Sequence, residues 1–245
     1  MTGRPRAWAG RRRTWLLGLA AVGLLVGGRS VWLLQQSSRL VQQSQALQAR
    51  PAGVTQRLLV VGDSTAVGTG ASSAAQSLVG LIAAAHPDWQ IQNLAANGAR
   101  FADVALQLAG ADAGHDRVLV LAGGNDVIRL TGGAALQADL QRVVALAQQK
   151  GRRVVLMPAG SVGHAPFFWP PLSWWMDARS RALHAMVQQV AQARGLVYVR
   201  LLQPRHQDPF VQQPALLHAA DGLHPSDAGY RLWYAALRRQ GGLDG

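Results

Sequence analysis

The sequence predicts an α/β fold, a parallel sheet of about five strands with helices covering both faces. Apolar runs of strand length recur at 58–61 (LLVV), 91–94 (IQNL), 118–122 (VLVLA), 154–157 (VVLM) and 197–201 (VYVRL). Longer segments of helical periodicity lie between them, notably 136–149 and 173–194. Strands buried on both faces read as apolar runs, and parallel neighbours need a helical crossover, so this alternation points to a doubly covered parallel sheet. A third observation concerns the sheet's edge. Short Gly-, Asn- and Asp-containing motifs follow the first three runs, and open α/β sheets bind ligands beyond the carboxyl ends of their strands.

Residues 1–34 precede the first strand and read as a signal peptide or an N-terminal membrane anchor. Arg4, Arg6, Arg11, Arg12 and Arg13 come before an uncharged apolar run over 15–28, and 31–34 extend that run past Arg29. An arginine cluster tends to stay in the cytoplasm, which sends the rest of the chain outward. No Ala-x-Ala cleavage site follows, so an uncleaved anchor is favoured over a cleaved peptide. The expected location is periplasmic or otherwise extracytoplasmic, tethered to the inner membrane or secreted. The absence of cysteine fits an exported domain that does without disulfides.

Residues 35–56 are rich in Gln and Ser, carry Leu40, Val41 and Leu47 at roughly helical spacing, and end at the breaker Pro51-Ala52-Gly53. They read as a polar, partly helical stalk, with an amphipathic partner helix as the alternative. Residues 57–245 are then expected to form one globular domain, long enough to bury its own core.

The net charge of +12 suggests nucleic acid until it is located: the first 50 residues hold eight arginines and no acid. The remaining excess is scattered singly without interleaved aromatics, so no nucleic-acid partner is expected.

Four motifs carry chemistry: Gly62-Asp63-Ser64, NLAANG over 93–98, Gly123-Gly124-Asn125-Asp126, and Asp221-Gly222-Leu223-His224-Pro225. A serine hydroxyl is a weak nucleophile and needs a base in hydrogen-bond reach, itself oriented by a carboxylate. Ser64, His224 and Asp221 supply the three types, and the three-residue spacing of Asp221 and His224 lets both side chains emerge on one side of a turn. Pro225 suits the start of the following helix. Acyl transfer builds charge on the carbonyl oxygen, for which the backbone N–H groups of Ser64 and Gly98 and the Asn125 amide are donors without a charge of their own.

The order of these blocks resembles the SGNH hydrolases, or GDSL-type esterases, whose motifs carry Ser, Gly, Asn and His in this sequence. The resemblance spans roughly 57–239, with Thr65 where the family name expects Leu. It implies a three-layer α/β/α sandwich of five parallel strands, ester hydrolysis through an acyl-enzyme, and no cofactor. Rival signatures are missing. There is no Gly-x-Ser-x-Gly elbow, no Walker loop, no dinucleotide fingerprint and no HExxH, so no metal is expected.

The segment 163–176 (GHAPFFWPPLSWWM) follows the fourth strand and belongs at the same edge. Phe167, Phe168, Trp169, Trp174 and Trp175 are expected to wall an acyl or aryl site or to dip into a bilayer, with a proline-stiffened cover on the helices as the alternative, and Arg100 and Arg129 could reach an anionic substrate or else stay solvated. Asp126 is expected to cap the helix that follows it and Asp103 to be structural. The other histidines, His164 among them, lack a carboxylate at useful spacing. Lipid-like or aryl carboxylic esters are therefore the expected substrates, with O-deacetylation of an envelope polysaccharide as the alternative. A catalytically silent, membrane-tethered binding module is the rival from another class.

Overall fold

The computed structural model describes residues 27–244, so the arginine cluster and most of the apolar leader lie outside the described residues. Five strands, β1 (Gln56–Gly62), β2 (Trp89–Asn93), β3 (His115–Leu121), β4 (Gly151–Leu156) and β5 (Val197–Tyr198), form one parallel sheet in the order β2-β1-β3-β4-β5. The chain leaves β1 toward one edge and returns to continue from the other side, so β1 and β3 flank the point where the winding reverses. That is where a doubly wound sheet opens a crevice.

Among the described residues, ten helices accompany the strands. They are α1 (27–43), α2 (Ser64–Val67), α3 (Leu78–Ala85), α4 (Phe101–Ala109), α5 (Gly124–Ile128), α6 (Gly133–Lys150), α7 (Leu172–Arg194), α8 (Pro209–Gln212), α9 (Pro214–Leu217) and α10 (Asp227–Arg239). Side chains alternate across a strand, which splits the core into two layers. Leu59 and Val61 of β1 join Val118 and Val120 of β3 under α4, α6 and α7, where Leu108, Leu140 and Val187 are fully buried. Leu58 and Val60 face the other way with Leu119 and Leu121, against Ile82 of α3 and Tyr230 and Leu237 of α10. The expected three-layer sandwich is the observed one.

Three local expectations are corrected. β5 stops at Tyr198 instead of reaching 201, because the Arg200 N–H turns to the Gln240 side chain at 2.8 Å and the ladder ends. The last helix begins at Asp227, since Ser226 caps it by accepting the Gly229 N–H at 3.2 Å while Pro225 is held in a bridge to His218.

The third concerns the Gln/Ser-rich segment, which does not stand away from the domain. α1 is followed by residues that seal the outer edge of β2. Ala49 and Ile91 exchange backbone hydrogen bonds of 3.1 and 2.9 Å, and the Gln48 amide pairs with both backbone groups of Asn93 at 2.7 and 3.0 Å. An edge strand presents unpaired N–H and C=O groups, and this segment satisfies them. Only its first part, through Gln43, is helical. No helix among the described residues is long and apolar enough to cross a membrane.

Candidate active site

The site begins at the end of β1. Gly62 has φ +151, and a Cβ there would lie 2.0 Å from the Leu121 carbonyl oxygen, so only glycine lets β1 run this close to β3. The Gln107 side chain grips Gly62 from α4, accepting its N–H at 2.8 Å and donating to its carbonyl at 3.0 Å. Asp63 then caps α2, its Oδ1 accepting the Thr65 N–H at 2.9 Å and the Thr65 hydroxyl at 2.7 Å. Ser64 occupies the first position of α2, and Asn93 anchors that helix by donating to the Ala66 carbonyl at 2.8 Å.

His224 arrives from a loop closed by the Ala219 N–H on the His224 carbonyl at 2.8 Å. The chain passes behind it at Gly70, whose φ is +96 and where a Cβ would meet the Pro225 carbonyl oxygen at 2.4 Å. His224 Nδ1 donates to Asp221 Oδ2 at 2.6 Å, and the Ser64 hydroxyl donates to His224 Nε2 at 2.9 Å. Because ionised Asp221 only accepts, the imidazole proton sits on Nδ1 and leaves Nε2 free to act as base.

Electrostatics separates the two carboxylates. Burial pushes the Asp221 carboxyl up, but the hydrogen bond and charge of His224 and the backbone N–H groups of Leu223 and His224 outweigh it, leaving it below the ordinary value. Burial dominates at Asp63, whose carboxyl is pushed up to about 6 in spite of its bonds from Thr65. Asp126 is raised for the same reason.

The expected oxyanion donors stand at the ends of neighbouring strands. Asn125 lies in the first turn of α5, after β3, with Nδ2 on the Ala99 carbonyl at 3.2 Å; that bond uses one amide hydrogen and leaves the other. Gly98, after β2, has φ +78, and a Cβ there would crowd Arg129 Nη2 at 3.0 Å. The backbone N–H groups of Ser64 and Gly98 have no hydrogen-bond acceptor among the described residues. Ser64, Gly98, Asn125 and His224 all line one cavity of about 420 Å³.

The aromatic segment divides. Phe167 and Phe168 line the cavity, as does Arg129, whereas Trp169, Trp174 and Trp175 do not and are exposed instead. Arg100 also stays outside. It precedes α4, pairs with Asp103 at 3.9 Å, and gives its N–H to the same carboxylate at 2.9 Å, which makes Asp103 structural as expected. Asp126 caps α4 through the Phe101 N–H at 3.1 Å, not the helix in which it sits.

His164 is a correction of another kind. Its Nδ1 lies 2.6 Å from Asp208 and its Nε2 3.3 Å from Asp177, both remote in sequence, so no spacing rule could have found them. Ser161 donates to the same Asp177 at 2.6 Å. The cluster ties the aromatic segment to α7 and α8. Among the described residues no three His, Asp, Glu or Cys side chains gather as a metal cage.

Sequence reasoning also missed three parts of the cavity wall: Leu34, Ser37 and Val41 of α1. Leu40 and Val41 were visible at helical spacing, but nothing in the sequence says which surface such a helix covers.

A serine, imidazole and carboxylate in hydrogen-bonded series, at the carboxyl edge of a five-stranded parallel sheet, are the groups of a serine hydrolase. The chain belongs to the GDSL-like lipase/acylhydrolase family, whose model matches residues 60–232. It is a carboxylic-ester hydrolase.

Solved structures with a similar fold include LAE5, an alpha/beta hydrolase from the metagenome of Lake Arreo (22% identity over 79% of this chain and 98% of that one, TM-score 0.59). A lipolytic G-D-S-L family protein of Veillonella parvula is 16% identical over 75% and 96% (TM-score 0.59). The acetylxylan esterase Axe2 of Geobacillus stearothermophilus is 23% identical over 78% and 96% (TM-score 0.55). At these identities the likeness is one of fold. No curated protein matches the chain.

Proposed function

We propose that this chain is an exported, membrane-tethered serine esterase that cleaves lipid-like or aryl carboxylic esters through an acyl-enzyme. The observation that carries the reading is the unbroken relay from Asp221 through His224 to Ser64, opening into a cavity walled by Leu34, Val41, Ile128, Phe167 and Phe168. His224 Nε2 takes the proton as Ser64 Oγ attacks the ester carbon. The N–H groups of Ser64 and Gly98, with the free amide hydrogen of Asn125, hold the oxyanion. His224 then protonates the departing alcohol, and water repeats the cycle on the acyl-enzyme while Asp221 stays ionised. The export and tether rest on the arginine cluster and the apolar run that precede α1.

A second reading, O-deacetylation of an envelope polysaccharide, draws on a separate cleft beside α1, of mixed polar and apolar lining, where Gln43, Ser44, Gln45, Ser72, Asp227 and Arg231 offer groups that could hydrogen-bond a sugar chain. One set of measurements separates the readings. A fluorophosphonate probe should label the wild-type chain and not Ser64→Ala, and a p-nitrophenyl ester series from acetate to palmitate should peak at medium or long chains. No labelling of the wild type would make the protein a silent binding module. A peak at acetate, with acetate released from an acetylated polysaccharide, would favour the deacetylase.

A further inference from the structure

We propose that the mouth of the catalytic cavity is a bilayer-contacting rim, with α1 as one lip and the segment 166–175 as the other, through which ester substrates enter from the lipid. This extends the reading of a tethered esterase of lipid-like esters and rests on it.

α1 is docked by one face. Its shielded positions are Arg29, Leu33, Gln36, Ser37, Leu40 and Val41, the spacing of one side of a helix. Ser37 and Val41 on that face, with Leu34 at its exposed border, enter the cavity wall that Ser64 also lines. The start of the helix is joined to the second lip, where the Arg29 guanidinium donates to the Pro166 carbonyl at 2.7 Å and lies over the Trp169 ring at 4.8 Å.

The two lips carry an unusual outer surface. Of the eleven large hydrophobic side chains exposed among the described residues, seven sit here: Val31, Trp32 and Leu34 on α1, and Trp169, Leu172, Trp174 and Trp175 opposite. The other four are scattered, as single exposed hydrophobics usually are. Leu34 is 56% exposed and also lines the cavity, so apolar surface continues from the outside of the molecule to its interior.

The covering partner is inferred from where the undescribed chain ends. The uncharged run over 15–28 stops at the beginning of α1, with five arginines on its far side. A bilayer holding that run would meet the rim first, and Trp side chains favour the level of the lipid headgroups. Substrates anchored by an acyl chain would then pass between Leu34 and Phe168 toward Ser64 without crossing water.

The chain has no cysteine, which permits single-site labels. Full-length Trp32→Cys, Trp174→Cys and, on α4, Leu106→Cys would each carry an environment-sensitive fluorophore in phosphatidylcholine vesicles with spin-labelled lipid. Quenching should be several-fold stronger at 32 and 174 than at 106. The double variant Trp32→Ser with Trp174→Ser should lose several-fold in turnover of a long-chain ester embedded in the vesicles while hydrolysing soluble p-nitrophenyl butyrate like the wild type. Equal quenching at all three sites, with soluble hydrolysis intact, overturns the rim and spares the esterase. Shielding of 32 and 174 in detergent-free solution with a doubled mass also overturns it, assigning the surface to a second copy. Loss of soluble hydrolysis by the wild-type chain would remove the esterase reading itself.

Discussion

Asp221 holds His224 by both of its oxygens. Oδ2 accepts the ring Nδ1–H at 2.6 Å, while Oδ1 accepts the His224 backbone N–H at 3.1 Å together with that of Leu223 at 3.0 Å. A single fully buried carboxylate thus sets the shape of the loop and the tautomer of the base. Asp221→Asn preserves a carbonyl oxygen for the two backbone donors but loses the anionic acceptor for Nδ1. The expected outcome is a folded protein with a near wild-type Tm whose kcat on a soluble ester falls on the order of 10⁴-fold. A large drop in Tm together with the loss of rate would mean that the carboxylate acts on the fold rather than on the base.

Asn125 is expected to act only once charge has developed. Its amide already spends one hydrogen on Ala99, which fixes its orientation before substrate arrives. Asn125→Ala should lower kcat by about 10² to 10³ and leave KM for the same ester nearly unchanged. An increase in KM with kcat intact would place Asn125 in ground-state binding.

Asp63 ties stability to pH. Burial raises its carboxyl from 3.8 to about 6, so the folded protein holds this proton more tightly than the unfolded chain does. Its contribution is therefore most favourable below the unfolded value and is lost as pH rises through about 6. Asp63→Asn removes that loss while keeping an acceptor for Thr65. Relative to wild type, the variant should gain about 2 to 3 kcal/mol of unfolding free energy between pH 4 and pH 7, the linkage expected when burial lifts a carboxyl this far. Denaturant titrations at the two pH values measure it, and a pH-independent difference would contradict the burial argument.

Much of the site is legible in the sequence, because its parts are local. Gly62 to Ser64, Asn125, and Asp221 to His224 each lie within a few residues of a strand or helix end whose signal is itself local. Asp221 and His224 are close in sequence and meet within one loop. His164 shows the opposite case. Its two carboxylates come from α7 and from the cap of α8, and the latter is 44 residues away. Trp169, Trp174 and Trp175 show another limit: composition marks a segment as aromatic but does not say which rings turn inward, and only Phe167 and Phe168 do. Asp126 caps a helix other than the one its position suggested, because the Phe101 N–H reaches it across the crevice.

The sequence by itself determined the layered parallel sheet and singled out Ser64, His224 and Asp221, since both follow from periodicity and from motifs that the strand ends deliver to one edge. Only the tertiary structure decided which loops touch that edge. It brought α1 from the far end of the chain to the cavity wall, paired His164 with Asp208, and left three tryptophans outside. These are contacts between segments remote in sequence. They are selected by the shape and burial of whole surfaces, which no short pattern of residues encodes.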